Sequence, residues 1–142
     1  MAKQKSNKSI TIVLKNHEIE AILANNSLRA LMTSRDLPVA ITFGLEKLGG
    51  AFDGAIHPYL SAKRALAEKY ADRDAAGTII QEAGNFVFSA KSAWFMKDYN
   101  ELLGLETTID CARQTIHIKD IPDRLLSPAD IRALRLLINF EE

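Results

Sequence analysis

Residues 37–70, LPVAITFGLEKLGGAFDGAIHPYLSAKRALAEKY, decide the architecture. Within them Ile41, Leu45, Leu48, Phe52, Ile56, Tyr59, Leu66 and Tyr70 recur at spacings of three and four, with one longer gap across Lys63. That is the period of one face of an α-helix. A helix this long cannot shield its own apolar stripe, so the flanking segments are expected to cover it. Asp36 is placed to cap its start. Leu37-Pro38 then fits the first turn, where proline's missing N–H is one of the orphan donors. Gly49, Gly50 and Gly54 each weaken a helix by about 1 kcal/mol relative to alanine. Pro58 removes an internal hydrogen bond and crowds the preceding turn. The pattern predicts a kink near residues 54–58, or two helices end to end. The other use of the glycines is to let a second backbone pack closely.

Upstream, residues 10–14 are β-rich and predict a short strand. Asn16 follows as an N-cap, with Glu18 and Glu20 in the first turn, where the helix dipole favours acids. Ile19, Ile22, Leu23, Ala30 and Leu31 carry one apolar face to about Met32. Downstream, residues 71–77 form a polar turn. Residues 78–80 and 86–88 flank Glu82-Ala83-Gly84-Asn85, which reads as a hairpin loop. A helix over residues 91–103 holds Trp94, Phe95, Tyr99, Leu102 and Leu103, with Gly104 as its stop. Leu105, Thr107, Ile109 and Cys111 then share one strand face, and Ile116 and Ile118 share one on the next. Ala112-Arg113-Gln114 is the turn between these two strands. Ser127-Pro128-Ala129-Asp130 has the form of a capping box with proline at N1. It opens a last helix with Ile131, Leu134, Leu137 and Ile138 on its core face.

The 142 residues suit one domain, and 47% hydrophobic with 25% charged content is that of an ordinary globular chain. Net charge is zero, so no global field argues for nucleic acid, an acidic substrate or a membrane surface. Weak charge repulsion also suits self-association. One cysteine, Cys111, excludes an intrachain disulfide and points to a reducing, cytoplasmic compartment. Lys3, Lys5 and Lys8 make the start basic, but no apolar run follows them, so no signal peptide is expected. No segment approaches the roughly 20 apolar residues of a membrane span.

No motif for chemistry stands out. Asp72, Asp74 and Gly77 match the start of a calcium loop, but the twelfth position is Ala83 instead of a bidentate glutamate, so a polar turn is the better reading. Gly44, Gly49, Gly50 and Gly54 contain no GxGxxG and precede no Gly-Lys-Ser/Thr. His17, His57 and His117 are scattered, and no metal site is expected from them. Cys111 lacks a catalytic signature, and the strand pattern puts it on the face opposite His117. Lys15 and the lysines of the tail could touch phosphates, but they are few and have no aromatic residues among them. Trp94 and Phe95 are adjacent and point about 100° apart on a helix, so one of them is expected at the surface.

The order of these elements has a parallel. A strand and helix lead to Leu37-Pro38, then to Tyr59-x4-Arg64-x-Leu66-x3-Tyr70, a turn rich in Asp and Gly, a hairpin and an aromatic helix. Ile116-x-Ile118 and Leu126-Ser127-Pro128-Ala129-Asp130-Ile131-x-x-Leu134 close the chain. Over roughly residues 10–140 the pattern resembles a family of short bacteriophage proteins, often encoded among structural or late genes. That family has no established activity and no catalytic residues to carry over; the glycines of the long helix are not part of the resemblance.

The sequence is therefore read as α+β. A flexible basic tail, residues 1–8, precedes a single globular domain, residues 9–142. That domain has about four helices, one of them long and central, and a small antiparallel sheet of hairpins. The expected function is non-catalytic binding of a protein partner, in virion assembly or against a host factor, in the host-cell cytoplasm. Trp94, Phe95, Tyr99, Phe52 and Tyr59 are the expected contact residues, without metal or cofactor. A homodimer through the glycine-bearing helix is one form of this reading. The alternative is a small nucleic-acid-binding protein using the basic tail. A third reading, an enzyme, needs Asp53, His57 and Tyr59 to converge in a cleft.

Overall fold

A computed structural model describes residues 11–24, 26–89 and 91–142. The tail proposed over residues 1–8 lies outside them. The fold is α+β, and the chain gathers into two compact units, residues 1–56 with 106–142, and residues 57–105. Among the described residues, no helix is long and apolar enough to cross a membrane.

The first unit begins with strand β1 (Ile12–Lys15) and helices α1 (Asn16–Ala24) and α2 (Ser27–Thr33). The single helix expected to Met32 is thus two. Asn26 sits in the left-handed region, φ 53°, and turns the chain between them; asparagine tolerates that conformation better than most side chains. At the start of α1, Glu18 Oε1 accepts the Lys15 N–H at 2.9 Å, the reach-back half of a capping box. The Asn16 side chain is buried and accepts from the Thr107 hydroxyl at 2.6 Å.

Helix α3 (Val39–Tyr70) is one uninterrupted element of 32 residues with Pro58 inside it. It starts later than expected, because the Pro38 carbonyl, not Asp36, receives the first helical N–H groups, from Ile41 and Thr42. The expected division near residues 54–58 does not occur. Proline costs a helix about 3 kcal/mol and each glycine about 1 kcal/mol. Against this, Leu45, Leu48, Phe52, Ile56 and Tyr59 are all buried, each contributing roughly 1.5–3 kcal/mol. The carbonyl that Pro58 leaves without a partner belongs to Gly54, which is exposed to water. Two glycines have a packing role: a Cβ at Gly44 would strike the Gln114 side chain, and one at Gly49 would strike Met32. Nothing approaches Gly50 or Gly54.

Strand β1 pairs antiparallel with a strand at Glu106–Ile109, in the register Ile12↔Ile109 and Leu14↔Thr107. Ile12, Leu14 and Ile109 are buried on one face, and Val13 is exposed on the other, the alternation a one-sided sheet requires. The expected hairpin between this strand and Gln114–His117 is absent. Gln114–His117 pairs instead, in parallel, with Ile138–Glu141. A parallel pair cannot be joined by a tight turn. The crossover here carries a 3₁₀ turn (Ile118–Asp120) and helix Pro128–Leu134. Leu137 and Ile138 are fully buried but lie beyond that helix, contrary to the expected helical face. The run Leu136-Leu137-Ile138 fits both periods; Leu136 and Leu137 form the turn after the helix, and Ile138, paired with Gln114, begins the strand. The capping box is present as expected: Asp130 N donates to Ser127 Oγ at 3.1 Å and Ser127 N to Asp130 Oδ2 at 2.9 Å. Cys111 is half-buried past the end of its strand, so it does not share the core face of Ile109.

The second unit holds the C-terminal part of α3, a two-stranded hairpin and helix α4 (Ser92–Gly104). The hairpin strands are β2 (Gln81–Glu82) and β3 (Asn85–Phe86); the two pairs described above complete the set as β4 (Glu106–Ile109), β5 (Gln114–His117) and β6 (Ile138–Glu141), with α5 (Pro128–Leu134). Ala83 and Gly84 have φ of 51° and 81°, the two positive values of a type I′ turn. The Asp-rich stretch is a polar turn as read. Asp74 Oδ1 accepts the Ala76 and Thr78 N–H groups, and the Asp72 carboxylate accepts from Ser89 N and Oγ.

Candidate functional site

Two places on this fold set exposed side chains beside an apolar groove or cleft, one in each unit. In the second unit, α4 has 13 residues and none of them is buried. Its inner side is an aromatic stack. Phe95 lies between Phe88, with ring centroids 4.4 Å apart, and Tyr99, at 5.6 Å. The Tyr99 hydroxyl meets that of Tyr59 at 3.5 Å, and Lys63 Nζ lies 5.7 Å from the Tyr99 ring centroid. Tyr70 donates to Asp98 Oδ2 at 2.6 Å. These contacts hold the helix while leaving its outer side in water. Trp94 is 61% exposed and Leu105, just past the helix end, is 60% exposed. Exposed Glu101 lies between them along the chain, while Asp98 is turned inward to Tyr70. Beside Leu105 runs a shallow apolar groove of about 520 Å³, formed by Ala62, Ala65, Leu66 and Leu102, with Lys69 and Glu101 on its border.

The five expected contact residues divide accordingly. Trp94 is at the surface, and Phe95 and Tyr99 are half-buried in the stack that supports it. Phe52 and Tyr59 are corrected: both lie on the buried stripe of α3 and are 2–3% exposed, so they are core. Leu105, expected on one strand face with Ile109, is corrected: it lies before the strand and is exposed. Met96 is also exposed, and its signal is the excess of apolar residues on α4 over what one helical face can hide.

In the first unit, α1, α2 and α3 enclose a cleft of about 320 Å³. Ile22, Leu28 and Phe52 give it a buried apolar floor, and Met32 is half-buried beside them. Arg29 on α2 and Glu46 and Asp53 on α3 stand on its rim. Among the described residues, none of these three charged side chains has a hydrogen-bond or ion-pair partner. Glu46 and Asp53 are seven residues apart, about two turns, on one side of the helix.

No hydrogen bond among the described residues links the groups named for an enzyme to one another. Asp53 is on the cleft rim, His57 Nε2 is 3.5 Å from Ser61 Oγ, and Tyr59 is paired with Tyr99. His117 is 3.9 Å from Glu141, its register partner across β5 and β6. Among the described residues, no group of three or more His, Cys, Asp or Glu side chains is placed to hold a metal ion. The homodimer reading loses Gly44 and Gly49, whose faces are covered within the chain, and keeps only Gly50 and Gly54. Comparison with known proteins gives no match to a family model, a curated protein or a solved structure.

Proposed function

We propose that the chain is a non-catalytic protein-binding module that acts through the outer face of α4. One observation carries this reading: a three-turn helix in which no residue is buried keeps Trp94 in water, and Leu105 just past its end is as exposed. Exposed aromatic and aliphatic side chains are the usual anchors of an interface. The stack of Phe88, Phe95 and Tyr99 takes up the inner side of α4 and leaves Trp94 in water. Glu101, exposed between the two apolar residues, favours a partner that carries a Lys or Arg beside its apolar pockets. In the phage setting that the element order suggests, such a partner would be another virion protein or a host factor met in the cytoplasm.

The test is affinity capture from infected cells, with wild type and Trp94→Ala processed side by side. A stoichiometric protein recovered by wild type and lost with the variant supports the proposal. Equal recovery by both, or recovery by neither, removes it.

A further inference from the structure

The cleft of the first unit is independent of the α4 face. Ile22, Leu28 and Phe52 lie beneath it as core, and Leu23 and Met32 are the apolar residues it exposes in part. Its walls differ in sign, with a guanidinium on α2 and two carboxylates on α3. Arg29, Glu46 and Asp53 are exposed and have no partner among the described residues, so each is free to meet a ligand. Gly49 and Gly50 lie between the two acids, and Met32 covers Gly49. The volume is at the lower end of the range for small-molecule sites, about 300–1,000 Å³. A peptide helix is too large for such a space. A plain amine satisfies the acids and leaves Arg29 facing a like charge; a plain carboxylate does the reverse.

We propose that this cleft binds a small zwitterion with an apolar side chain, the chemistry of a free apolar amino acid. Arg29 receives the carboxylate through its planar fork, which matches two oxygens at once. Asp53, with Glu46, receives the ammonium. The side chain rests against Leu23 and Met32, the partly exposed apolar residues of the lining, and Met32 is unbranched and adaptable.

Isothermal titration with L-phenylalanine and L-leucine tests this directly, with 2-phenylethylamine and 3-phenylpropionate as single-charge probes. One saturable site per chain is expected for the amino acids. Each single-charge probe, and each of Arg29→Gln and the double variant Glu46→Gln/Asp53→Asn, should weaken binding about tenfold or more, as loss of a charge-assisted contact does. All three side chains are exposed, so the variants should keep the wild-type circular dichroism and Tm. The Met32 methyl resonance should shift on titration, which places the ligand in this cleft. Absence of saturable binding at millimolar amino acid overturns the proposal. So does an amine or acid that binds as well as the zwitterion, a variant that binds as wild type does, or a Met32 methyl that does not move.

Discussion

Phe52 and Trp94 are both large aromatics on helices, and opposite measurements reveal them. Phe52 is 2% exposed among the buried residues of α3. Phe52→Ala should lower stability by about 3–5 kcal/mol, through lost apolar burial and a cavity the helix cannot close. Trp94 stands in water, so Trp94→Ala should change stability by less than about 0.5 kcal/mol while abolishing partner capture. Urea unfolding of the two variants separates these roles; an equally large loss for Trp94→Ala would mean it is structural. Gly50 gives a prediction of the other sign. It is exposed, and a Cβ there meets nothing within 4 Å. Gly50→Ala should therefore raise stability by about 0.5–1 kcal/mol through helix propensity alone. A destabilised Gly50→Ala would show that this position needs glycine for a contact outside the chain, the homodimer face among them.

At the scale of elements, the segments legible in the sequence were those whose signal is local. The stripe of α3, the Ser127-Pro128-Ala129-Asp130 cap and the turn at Ala83-Gly84 each state their structure within a few residues. What could not be read depends on pairing between distant segments. Nothing in Glu106–Ile109 or Gln114–His117 indicates that the first joins β1 and the second joins β6, because alternation gives a strand's face and not its neighbour. Likewise α1 and α2 share one apolar face, and only the left-handed Asn26 divides them. The binding cleft was illegible for the same reason: Arg29 and Asp53 are ordinary surface residues until α2 and α3 place them on one rim. The local signals have measurable strength. Ser127→Ala removes the cap of α5 and should cost about 1 kcal/mol. Pro58→Ala restores an N–H to α3 and should stabilise by up to about 3 kcal/mol. Thermal unfolding that leaves the Pro58 variant unchanged would mean the helix has already adapted around the ring.

At the scale of the whole molecule, burial is distributed unevenly between the two units. The first contains nearly every fully buried side chain, among them Ile12, Ile19, Leu31, Leu45, Ile116, Leu134 and Ile138. The second relies on an aromatic stack, a short hairpin and hydrogen bonds such as those of Tyr70 and Asp72, around a helix with no buried residue. Local opening follows local burial, because an element that hides little apolar surface loses little by detaching. Backbone amides of α4 should therefore exchange with solvent much faster than those of β4 or the Leu45–Phe52 stretch of α3, under conditions where the chain stays folded. A partner seated on Trp94 and Leu105 would bury that face and slow the α4 amides selectively. An apolar amino acid in the cleft would slow those of α1 and α2 instead. Uniform exchange through both units would show that the chain opens as one cooperative body, and would leave the exposed face of α4 without the mobility that the burial pattern assigns it.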